Sequence, residues 1–112
     1  MGNIIEAKSF EFAVNVVKLT RQMRNDGIEH ALVNQLLRSG TSIGANVSEA
    51  QEAQSKKDFI SKMSIALKEA HETRYWLKLL READGFKSVE SLVQINEIIN
   101  ILTKIVKSSK ED

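Results

Sequence analysis

Apolar residues recur every three or four positions along most of the chain, and this 3.6-residue period is broken at three places. The breaks predict helices over about 4–24, 29–54, 56–83 and 89–108. In the first, Phe10, Ala13, Val14, Val17 and Met23 keep the period, Asn3 and Glu6 form a capping-box pattern, and Asn25-Asp26-Gly27 stops the run. The second carries Val33, Leu36, Gly40, Ile43, Val47 and Ala50 on one side. The third opens on Ser55 with Asp58, places Phe59, Met63, Ala66, Ala70, Thr73 and Leu77 on a seam, and ends at Asp84-Gly85. Ser88 is the expected N-cap of the fourth, whose apolar positions include Leu92, Ile95, Ile99, Leu102 and Val106. Four long helices with short connections read as one all-α domain over 1–112, an antiparallel up-down-up-down four-helix bundle. The absence of proline and only five glycines argue against a sheet protein built on tight turns.

Charge narrows the function classes. Sixteen Lys and Arg against fifteen Asp and Glu leave the chain nearly neutral, so any nucleic-acid binding requires a local patch. There is no cysteine, hence neither a disulfide framework nor a thiolate metal site. The start carries two acidic residues and no apolar run, and no window approaches a membrane span. A cytoplasmic protein without membrane association is expected.

Gly40-Thr41-Ser42-Ile43-Gly44 matches G-x-S-x-G, the nucleophile elbow of serine hydrolases. That motif needs a strand before the serine and a sharp turn at it, whereas here it sits within a continuous helical period. The elbow reading therefore fails. Two interior helix glycines cost roughly 2 kcal/mol relative to alanines, and their expected benefit is close approach by a neighbouring helix at Gly40 and Gly44. On the other face Arg38, Ser39, Ser42, Asn46 and Glu49 form a polar stripe of mostly short side chains, suited to close approach by another chain.

The third helix has two further stripes. Ile65, Trp76, Leu79 and Ala83, with Glu69 and Glu72 beside them, make a second apolar side that a small monomer does not need, and this predicts an oligomer interface. Lys57, Lys68, His71, Tyr75 and Lys78 form a basic stripe with one aromatic, the nucleic-acid candidate. Repeated around a symmetric oligomer, this stripe becomes a basic band. Metal chemistry finds no support: Glu69, His71 and Glu72 lack the Glu-x-x-His spacing of di-iron bundles, and His30 has no glutamate three residues before it. Neither metal nor cofactor is expected. A rival reading is an enzyme in which Glu49, Glu69 or Glu72 acts with Ser42 in a polar pocket; it requires those groups to converge on one cleft.

The run "LLRSGTSIGANVSEAQ" followed by "SKKDFISKMSIALKEAHETRYWLKLL" resembles the four-helix-bundle proteins of the 23S rRNA intervening-sequence family, with Ser42, Ile43, Ala45, Asn46 and Glu49 as the distinctive core. The resemblance implies a bacterial protein, an antiparallel four-helix bundle, assembly as a homopentameric ring and no attached enzymatic activity. A similar family, the accessory variability proteins of diversity-generating retroelements, binds nucleic acid and a reverse transcriptase through a basic pentamer. This chain is much less basic, and it carries Gly44 and Ala50 where many relatives have proline and glycine. The expected role is a non-catalytic homo-oligomeric module that binds RNA or an RNA-associated protein, with a protein-binding scaffold as the alternative.

Overall fold

The computed structural model describes residues 3–111, so the two ends of the expected 1–112 domain lie outside the described residues. It contains α1 (Ile4–Asn25), α2 (His30–Gln51), α3 (Lys56–Asp84) and α4 (Val89–Lys110), and among the described residues no strand. The starts of α1 and α3 follow from their caps. Asn3 Oδ1 accepts the Glu6 N–H at 3.2 Å, and Ser55 Oγ accepts the Asp58 N–H at 3.0 Å. The left-handed Gly85, at φ 65°, ends α3 and donates its N–H to the Arg81 carbonyl at 2.9 Å.

Helix α2 stops at Gln51, three residues before the expected 54. Glu52 and Ala53 donate to the carbonyls of Glu49 and Ala50, which tightens the last turn. Ser55 must be extended to cap α3 (φ −153°, ψ 163°), so the reversal needs residues 52–54 as well. Helix α4 runs two residues beyond the expected 108.

Each helix packs on its neighbour in sequence, and α4 closes on α1, giving the up-down-up-down bundle within an envelope of 47 × 23 × 20 Å. The expected seams of α2, α3 and α4 are buried, with Phe59 half-buried and Leu80 and Ile98 added. Helix α1 differs. Its buried stripe is Ile5, Ser9, Phe12, Val16, Thr20 and Met23, whereas Phe10 is 70% exposed and Val14 lies at the surface. Ser9 and Thr20 are admitted to the interior because their hydroxyls donate to carbonyls of their own helix, Glu6 O at 3.2 Å and Val16 O at 2.9 Å. A stripe traced through large apolar residues alone is therefore right at Met23, lies at the edge of the core at the half-buried Ala13 and Val17, and fails at Phe10 and Val14.

The glycines of α2 sit against α1. A Cβ at position 40 would meet both Cγ atoms of Val16 at 2.9 Å, and one at position 44 would meet the backbone oxygen of Ser9 at 3.2 Å. Hydrogen at position 40 leaves room for the buried Val16 side chain, and at position 44 it lets α2 lie against the backbone of α1. Ser42, between them, donates its hydroxyl to the Arg38 carbonyl at 2.6 Å within α2.

Candidate functional site

The outer edge where α2 meets α3 gathers residues from two stripes that are separate in sequence. The Arg38 guanidinium reaches across to Glu69 at 3.1 Å and to Glu72, and Gln35 accepts from its Nε at 3.4 Å. Glu72 also accepts from Trp76 Nε1 at 3.0 Å. One arginine thus orients two carboxylates, and one carboxylate fixes the indole. These groups are partly solvated, so each pair contributes about 1 kcal/mol at most to the monomer. The network gives rigidity and a defined surface more than stability.

Ser39 does not share that surface. It is fully buried one position around the helix, where its hydroxyl meets Thr73 Oγ1 at 2.9 Å between α2 and α3. Ser42 and Asn46 direct their donors back along α2, to the carbonyls of Arg38 and Ser42 at 2.6 and 2.8 Å, which keeps this part of the face low. Glu49 pairs instead with Lys62 at 2.8 Å. Lys62 lies seven residues before Glu69, about 10 Å along α3. Glu49 therefore does not join Glu69 and Glu72, and the Ser42 hydroxyl is engaged by its own helix.

The hydrogen bond and charge of Glu49, with a smaller contribution from Asp58, raise the Lys62 pKa above the ordinary lysine value. The stabilisation from this raised value is fully present below the ordinary lysine range and is lost as pH climbs through the folded value. Titration followed at the Lys62 side chain by NMR is expected to lie above the ordinary lysine range. Glu49→Gln should bring it back down to that range, and a wild-type Lys62 that already titrates there would contradict the pairing.

The second apolar side of α3 is smaller than the sequence implied. Ile65 is 40% exposed, but Leu79 is half-buried, and Trp76 packs in part against the bundle core while its ring stands edge-to-face with that of Tyr75, the centroids 5.1 Å apart. Sequence reasoning missed a compensating patch on the other flank of α2. There Phe10 and Ala7 of α1 border a shallow groove with Gly44 and Ser48 of α2. The missed signal was the small hydroxyl pair Ser9 and Thr20, which marks the true core stripe and turns Phe10 outward.

Lys57, Lys68, His71, Tyr75 and Lys78 all lie exposed on the outer side of α3, with Tyr75 58% exposed. Among the described residues no carboxylate pairs with Lys57, Lys68 or Lys78. Lys78 lies 21 positions after Lys57, about 32 Å along the helix. Arg74, not anticipated from the sequence, borders it, with its guanidinium on Asn96 Oδ1 at 2.9 Å and near His71 Nδ1 at 3.3 Å. Among the described residues no three His, Asp or Glu side chains form a metal cluster, and no helix is long and apolar enough to cross a membrane.

Comparison with known proteins agrees with this architecture. The model of a family described as 23S rRNA-intervening sequence protein matches residues 2–108. A crystal structure of a protein of unknown function from the S23 ribosomal protein family of Bacteroides thetaiotaomicron superposes with a TM-score of 0.89. It is 45% identical, and the match covers 93% of this chain and 99% of that one. A search of curated proteins returns no match.

Proposed function

The chain belongs to the 23S rRNA-intervening sequence protein family, and from that premise we propose that it is a non-catalytic, homo-oligomeric interaction module of the cytoplasm that assembles as a pentameric ring and binds RNA. The observation that carries the assembly is the pair of different apolar patches flanking α2. One contains Ile65 beside the Arg38–Glu69–Glu72–Trp76 network, and the other contains Phe10 above Gly44. A closed ring requires a head-to-tail contact between two unlike surfaces of each subunit. Two such patches on one protomer meet that requirement, and neither is needed by the core.

RNA is assigned to the basic outer stripe of α3. In one protomer three lysines attract a phosphate backbone weakly; five copies in a ring present them repeatedly, and simultaneous engagement multiplies the affinity. Tyr75 offers a ring face for base stacking. Replacing Lys57, Lys68 and Lys78 together by alanine should lower affinity for single-stranded RNA. It should also reduce the slope of log K against log salt by about 2 for each protomer in contact with the RNA. If the wild-type protein shows no salt-dependent RNA binding at low ionic strength, the assembly is a scaffold for protein partners instead.

A further inference from the structure

Ser88 occupies the N-cap position of α4 but does not cap it: no first-turn N–H reaches its side chain, and its ψ of 26° departs from the extended geometry of the working cap Ser55. The residue is only 4% exposed, and its Oγ is the one buried side-chain polar atom without a hydrogen-bond partner among the described residues. Native interiors rarely leave such a group unsatisfied. The helical bonding of α4 begins with Leu92 N–H to Ser88 O at 2.9 Å, so the N–H groups of Val89, Glu90 and Ser91 have no acceptor within the helix.

Ser88, Glu90 and Ser91 line a groove of about 340 Å³ between the start of α4 and α1, together with Asn15, Lys18 and Lys87. Two ammonium groups against one carboxylate leave the groove positive, and the N-terminal end of the 22-residue α4 adds to the same sign. We infer that this groove is a phosphate-binding site, distinct from the basic stripe of α3. The Ser88 hydroxyl and the first-turn N–H groups donate to the phosphate oxygens, and Lys18 and Lys87 neutralise its charge. Glu90 opposes the anion and limits its affinity.

The phosphate belongs either to a free phosphate compound or to an RNA backbone, and amide NMR of the full chain separates them. Inorganic phosphate, added at constant ionic strength against chloride, should give saturable shifts at the amides of Ser88 to Ser91. An RNA oligonucleotide without terminal phosphates is titrated in parallel, and its response at the same amides identifies the phosphodiester as the source. Ser88→Ala should weaken binding of the responding probe about tenfold while leaving Tm unchanged or higher, because it removes an unpartnered hydroxyl. Glu90→Gln should tighten binding. Chloride-like shifts with both probes would overturn the inference, as would a Ser88→Ala protein that loses Tm and keeps wild-type affinity.

Discussion

Gly40→Val is expected to destabilise the bundle by about 2–3 kcal/mol, an overpacking effect where α2 packs on Val16 of α1. Even a bare Cβ at position 40 would lie 2.9 Å from both Cγ atoms of Val16. Val16 is itself 1% exposed and β-branched, so it holds essentially one rotamer in the helix and cannot step aside. The substitution does gain helix propensity, but only about 0.3–0.5 kcal/mol on scales that place glycine near the bottom. The steric cost wins. Denaturant unfolding should show a lower midpoint with an unchanged slope, and a variant as stable as wild type would refute the close approach. Gly44→Ala should be milder, since its Cβ would need the Ser9 carbonyl to retreat by only a few tenths of an ångström.

The second large effect concerns assembly. Ile65→Lys and Phe10→Lys place an ammonium in one or the other apolar patch, and each should convert the oligomer to smaller species without unfolding the protomer. Both positions are substantially exposed, so the stability of the isolated chain should change by no more than about 0.5 kcal/mol. Position 65 also stands one turn from Glu69, where a lysine is electrostatically tolerated. Circular dichroism and thermal melts check the fold, and sedimentation velocity reads the assembly. A head-to-tail ring demands that both variants dissociate. Mixing the two should restore a single contact, because each retains the patch that the other lacks, and so yield a heterodimer but no ring. Dissociation by Ile65→Lys alone would indicate a two-fold dimer built on one patch.

Helix identities, and the caps at Asn3 and Ser55, were legible in the sequence because local chemistry determines them: a polar residue with a free acceptor, followed by a helical period. The role of Gly40 and Gly44 was legible for a similar reason, since an interior glycine lowers helix stability and needs a packing benefit. What could not be read depends on how helices align. Arg38 meets Glu69 and Glu72 only when α2 and α3 are set in their observed register, and Ser39, its immediate neighbour, is carried into the interior by the same rotation. The core face of α1 was obscured by Ser9 and Thr20, whose hydroxyls look solvated in sequence and are satisfied internally in the fold. Ser88 was correctly placed at the start of α4, but its failure to cap that helix appears only in the backbone angles.

The elbow pattern around Ser42 shows the same division. The helical period of its neighbours was enough to set the hydrolase reading aside, and the hydrogen bond to Arg38 O gives the serine a local backbone partner. Its surroundings place the interest of this segment in surfaces: glycines drawn against α1 on one flank and an arginine-bridged edge with α3 on the other.

Assembly is the central claim, and light scattering on the size-fractionated wild-type protein at micromolar concentration tests it most directly. Five chains of 12.6 kDa predict a single species of about 63 kDa. A species at the mass of one chain would contradict the account.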